Sequence, residues 1–116
     1  MVIGLSHLTL IVENLERTSN FLTTVFDAEE IYASGDETFS LSREKFFLIG
    51  KQWICIMEGK PLPERTYNHI AFAIPDEEFE TYEAKVRSAG VDIRPSRLRV
   101  EEEGRSSTVG VVWDVM

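Results

Sequence analysis

The sequence predicts an α+β fold built from two βαβββ modules, and three observations carry that reading. A strand-like run opened by a small polar residue and a histidine occurs twice, at residues 6–12 (SHLTLIV) and 68–74 (NHIAFAI), 62 residues apart. A stretch with apolar residues at helical spacing follows each run. A short strand follows each helix at the same offset, at residues 30–32 and 92–94. A repeat of this kind marks a supersecondary unit that cannot cover its own apolar sheet face, so two such units, in one chain or exchanged between two chains, join their sheets with the helices outside. A cleft inside the joined sheet is the natural place for a ligand.

The elements follow in order. Asn14 is a good N-cap, and Leu15, Thr18, Leu22, Val25 and Phe26 recur on one face of the first helix. Residues 38–42 (TFSLS) alternate polar and apolar as a half-buried strand does, 45–49 (KFFLI) are apolar and aromatic, and 53–57 (WICIM) form a continuous buried run. Gly35-Asp36 and Gly50-Lys51 supply turns. The first module is therefore assigned to residues 1–58. Residues 59–66, with two prolines and no periodicity, form the linker, and residues 67–116 the incomplete second module of one single domain. In the second helix Asp76 caps, Glu77 and Glu78 suit the positive end of the helix dipole, Phe79, Tyr82 and Val86 form the inner stripe, and Gly90 stops it. Residues 95–105 read as a charged surface loop with a short strand at 98–100, and 107–115 return to strand composition.

With 116 residues, 43% of them hydrophobic and 28% charged, the chain fits one ordinary globular domain. Such a domain buries only about two-thirds of the surface its unfolded chain exposes, which favours a partner subunit, and a homodimer is expected. Twenty acidic against twelve basic residues, a net charge of −8, argue against nucleic acid or an anionic membrane as partner. No stretch reaches the roughly 20 apolar residues of a membrane span, and residues 1–10 lack the basic start of a signal peptide, so the cytoplasm is the expected location. The single cysteine, Cys55, reads as a buried inert thiol.

The chain has only two histidines, His7 and His69, and they occupy the same place in the two repeats. Pseudo-two-fold packing would bring them to one cleft, where neutral imidazoles suit a divalent first-row metal. Hydrogen-bonded structural histidines are the competing reading, and the spacing alone leaves both open. The third ligand is not evident.

The repeat with a histidine on the first strand of each copy resembles the vicinal oxygen chelate superfamily, which includes glyoxalase I, extradiol dioxygenases, bleomycin-binding proteins and fosfomycin resistance enzymes. The strings GLSHLTLIV, FDAEEIYASGDETFSLSREKFFLIG, WICIMEG, ERTYNHIAF and RVEEEGRS are similar to the FosX-type fosfomycin-hydrolysing branch, from Met1 to about Ser106. That resemblance implies a divalent cation, usually Mn²⁺, on His7 and His69, which in the family's dimer come from different subunits. It implies Glu44 as the general base that activates water for epoxide hydrolysis, and Thr9 as a hydroxyl near the substrate oxygen. It implies Ser106 as a phosphonate contact, with Arg94, Arg97 and Arg99 in the region of cationic contacts. Read without the resemblance, Glu44 is a solvated charge in Arg43-Glu44-Lys45, and the arginines offset Glu101, Glu102 and Glu103.

The likeness stops after Ser106. Thr108 stands where the family has a tyrosine, and the glutamate completing the family's metal site would fall at position 118, past Met116. Asp114 is a makeshift substitute or a plain surface aspartate. With two histidines and no third ligand, Mn²⁺ is expected to bind weakly or not at all, and hydrolysis to be impaired. A sheet edge without its last strand is expected to invite pairing with another chain. Two other functions stay open: thiol transfer to the epoxide, against which Glu44 argues, and non-catalytic sequestration of a small molecule.

Overall fold

The computed structural model of the chain describes residues 1–37, 41–60, 62–64 and 70–91. Two compact units are present, Met1–Pro63 and a second beginning at Glu64. The first unit has the order β1 (His7–Val12), α1 (Leu15–Phe26), β2 (Glu29–Ala33), β3 (Glu44–Ile49) and β4 (Gln52–Glu58), the expected βαβββ arrangement. The four strands form one mixed sheet in the order β1-β4-β3-β2, with β1 parallel to β4 and the other neighbours antiparallel. The strand that opens the unit therefore lies beside the strand that closes it.

Local chemistry sets these boundaries. Asn14 adopts an extended backbone and its Oδ1 accepts the Arg17 N–H at 2.9 Å, so the first turn of α1 begins capped, as expected. Asp27, at φ 54°, ends the helix in the left-handed region. Between β3 and β4 the loop has two residues, and Gly50 takes φ 58°, where an L side chain would be strained.

Leu15, Leu22 and Val25 of α1 face Val12, Phe47, Ile54 and Ile56 of the sheet, all nearly inaccessible, and these residues make the core. Two buried hydroxyls are satisfied: Ser19 Oγ donates to the Leu15 carbonyl at 2.7 Å, and Ser34 Oγ accepts from the Glu44 N–H at 3.0 Å. At the end of the sheet Arg43 donates to both Glu58 oxygens, at 3.1 and 2.6 Å, and the Leu15 N–H reaches Glu58 Oε2 at 3.5 Å, which ties the start of α1 to β4.

The fork from Arg43 holds the Glu58 carboxyl below the usual carboxylate range. A group whose pKa falls on folding stabilises fully above its unfolded value, and the benefit is lost as pH drops through the folded value. Urea unfolding followed from about pH 7 to about pH 3 is therefore expected to show a decline in stability that is shallower in Glu58→Gln, and weaker for the parent in high salt because both side chains are partly exposed.

The second unit differs in detail from expectation. Residues 70–74 carry no strand pairing among the described residues, although Ile70, Phe72 and Ile74 are half-buried and Ala71 and Ala73 exposed, the alternation of a strand. Asp76 is not a side-chain cap. It opens a single 3₁₀ turn, Asp76–Glu78, whose N-cap is Pro75, and α2 spans Phe79–Ser88. Pro75, at φ −60° and ψ 143°, already supplies the extended entry, so the three acidic residues sit in the first turn, where the helix dipole favours them. Val86 is buried with Phe79 and Tyr82 half-buried along the expected stripe, and Gly90 ends the segment at φ 77°. In the first unit, Leu41 and Ser42 of the expected strand 38–42 form a bend, while 38–40 lie outside the described residues. The expected strand 92–94, loop 95–105 and segment 107–115 lie outside them as well. No described helix is long and apolar enough to cross a membrane.

Candidate active site on the sheet face away from α1

Side chains alternate between the two faces of a sheet, and the pairing fixes which residues share a face. His7 pairs with Trp53, Thr9 with Cys55, Phe46 with Cys55, and Glu44 with Met57. These residues therefore stand on the face opposite the one that packs on α1. Tyr32 joins them through an irregularity. The β2–β3 register shifts between Glu30 and Tyr32, which leaves Ile31 unpaired and re-aims Tyr32 onto this face. Its ring lies 6.3 Å from that of Phe46, and Phe46 lies 5.8 Å from the His7 imidazole.

His7 is exposed at the start of β1, with Ser6 Oγ 3.2 Å from its Nδ1. In the tautomer with a proton on Nδ1, Ser6 accepts it and the Nε2 lone pair is left for a metal. Thr9, two residues on, is also exposed. Glu44 is half-buried at the start of β3, and its backbone is fixed twice: its N–H donates to Ser34 Oγ and its carbonyl accepts the Ser34 N–H, each at 3.0 Å.

The neighbours of Glu44 in sequence are not its neighbours in space. Arg43 and Lys45 project to the α1 side, where Arg43 binds Glu58 and Lys45 binds Glu30 at 2.8 Å. Strand alternation thus separates Glu44 from both of its neighbouring cations.

Cys55, on the central strand, stands between Thr9 and Glu44. Its Sγ is 3.8 Å from Glu44 Oε2, and the nearby Thr9 hydroxyl favours the thiolate. Burial first, and then the charge of Glu44, push the thiol above its ordinary value, outweighing Thr9. It stays protonated, which suits the inert thiol expected from the sequence. The part played by Cys55, Phe46 and Tyr32 on this face was not read from the sequence; the period-two alternation of β3 and β4 was the available signal for the first two.

Of the expected site residues, the structure brings Thr9 and Glu44 to one face beside Cys55, with His7 on the same strand as Thr9. His69, Arg94, Arg97, Arg99 and Ser106 lie outside the described residues, as does the altered segment after Ser106. Among the described residues no group of three or more His, Cys, Asp or Glu side chains is placed to hold a metal ion.

The model of the Glyoxalase/Bleomycin resistance protein/Dioxygenase superfamily matches residues 4–109. The chain belongs to that superfamily. Within it, the fosfomycin resistance protein FosX of Listeria innocua is 62% identical over 106 residues, covering 91% of this chain and 80% of its own length. The metallothiol transferase FosB of Shouchella clausii is 32% identical over 112 residues, covering 91% of this chain and 71% of its own. The crystal structure of a variant of Listeria monocytogenes FosX, complexed with Mn(II) and 1S,2S-dihydroxypropylphosphonic acid, superposes with a TM-score of 0.78 at 59% identity, covering 87% of this chain and 78% of that one. The glyoxalase fold and the likeness to FosX expected from the sequence are thus borne out. The FosX likeness is about twice the FosB likeness in identity, and it includes a solved relative that holds both Mn(II) and a diol phosphonate.

Proposed function

We propose that the chain hydrolyses the epoxide of fosfomycin to a diol with the help of a bound divalent cation, Mn²⁺ by likeness to its FosX relatives. The observation that carries this reading is the placement of Glu44: an ionisable carboxylate on the same sheet face as Thr9 and His7, with both adjacent cations turned away from it. Among the described residues the exposed imidazole of His7, with Nδ1 engaged by Ser6, offers Nε2 to such a cation. By likeness to the FosX relatives, His7 and His69 would hold it, weakly in the absence of a third ligand, and when bound it would supply Lewis acidity at the epoxide oxygen.

The chain's own residues perform the proton chemistry. Glu44 takes a proton from water as the water oxygen forms its bond to an epoxide carbon. The ring C–O bond breaks, and the oxygen released takes up a proton to complete the diol. The Thr9 hydroxyl orients the substrate oxygen, and Ser106 with Arg94, Arg97 and Arg99 receives the phosphonate. The homodimer and the cytoplasmic location belong to the same reading. Exposed Met1, Val2, Ile3 and Leu5 next to β1 favour assembly, and sedimentation at micromolar concentration is expected to show a dimer.

The test is product identity. Fosfomycin incubated with the chain and Mn²⁺ is expected to gain the mass of one water, with or without added thiol. A product carrying the thiol favours the transferase reading, and saturable binding without any product favours sequestration.

A further inference from the structure

Among the described residues the thiol of Cys55 lies within reach of Glu44 Oε2 at 3.8 Å and of the Ile56 carbonyl at 3.9 Å. Three features favour the carboxylate. An ionised oxygen is a stronger acceptor than an amide carbonyl. Glu44 is half-buried, and its neighbouring cations are committed to Glu58 and Glu30 on the other face. The Ser34 bonds fix the Glu44 backbone, so its side chain is presented to Cys55 from a stationary Cα. A carboxylate anchored only at its backbone still turns about its own torsions; one held at a single oxygen presents the other in a defined direction.

We infer that Cys55 is a positioning residue for Glu44: its S–H donates to Oε2, fixes the carboxylate plane, and leaves Oε1 to meet the attacking water. The catalytic consequence rests on the hydrolase reading above, while the hold itself does not. A buried thiol suits the position, because it is a weak donor that turns the carboxylate without neutralising it and fills the space with an apolar atom.

Cys55 is the sole cysteine of the chain, so its S–H stretching band in the infrared reports this one contact. In the metal-free chain the band is expected at lower frequency in the parent than in Glu44→Gln, since a neutral amide accepts more weakly than a carboxylate. An unchanged band would show that the thiol does not donate to Glu44 and would overturn the inference. In the Mn²⁺-loaded protein, Cys55→Ala is expected to lower kcat by about tenfold with KM for fosfomycin within about twofold, as for a loosened base. Cys55→Ser, which keeps a donor, is expected to recover most of kcat. Full kcat in Cys55→Ala, or equal losses in the alanine and serine variants with unchanged unfolding midpoints, would overturn the positioning role. If the parent shows no hydrolysis, the function reading fails and the infrared comparison still decides whether the thiol holds the carboxylate.

Discussion

Glu44→Gln is expected to reduce diol formation by roughly a hundred-fold or more, the usual scale for a lost general base. The substitution keeps the size and shape of the side chain and removes the one property the proposed reaction needs, a lone pair basic enough to take a proton from water. It leaves the surroundings in place. Ser34 bonds the backbone of residue 44 whatever side chain it carries, and the Arg43–Glu58 and Lys45–Glu30 pairs lie on the other face. Binding of Mn²⁺ and fosfomycin is therefore expected to change little, and the loss to appear in kcat. Mass spectrometry of the product over time, with calorimetry for metal and substrate, measures both. Hydrolysis by Glu44→Gln at the parental rate would return Glu44 to an ordinary half-buried charge and remove the base from the proposal.

The parts of this architecture that were legible in the sequence are those set by short-range pattern. The helical spacing of Leu15, Leu22 and Val25, the cap at Asn14 and the turn at Gly50 are fixed by residues within a few positions of one another, and each is found as read. The pairing of β1 with β4 is a contact across more than forty residues, and nothing local announces it. Yet that pairing puts Cys55 beside Thr9, and the β3–β4 hairpin then puts Glu44 within reach of the same thiol. The irregularity at Ile31 is equally silent, since the text EEIYA reads as an uninterrupted strand, and it decides which face Tyr32 joins. Asp76 misled because the residue type was right for a cap while the proline before it already occupied that position. The roles proposed for His7, His69, Glu44 and the arginines rest on likeness to a family. From spacing alone the histidines were ambiguous, and Glu44 looked like one charge among three.

Adjacent phenylalanines in β3 are expected to give opposite results, and the difference tests the register on which the site depends. Phe47 has no solvent exposure and points to α1 among Val12, Ile54 and Ile56. Phe47→Ala leaves a cavity the size of a ring, and since helix and sheet close on it from both sides the gap collapses poorly, so a loss of about 3–5 kcal/mol is expected. A domain of this size has a total stability on the order of 5–15 kcal/mol, so the variant keeps only part of it and its thermal midpoint falls by roughly ten degrees or more. Phe46, one residue earlier, is half-buried on the other face against His7 and Tyr32. Truncating it removes less buried area and gives the neighbouring side chains room to relax, so Phe46→Ala is expected to cost on the order of 1 kcal/mol. Its effect belongs to the site instead: the His7 ring loses its packing wall, and metal affinity is expected to weaken while folding is largely retained. Thermal unfolding of both variants, with Mn²⁺ calorimetry on Phe46→Ala, separates the two. A one-residue slip of β3 would exchange every side chain between the faces. Phe46→Ala would then be the unfolding variant, Phe47→Ala the mild one, and Glu44 would face α1 instead of Thr9 and Cys55.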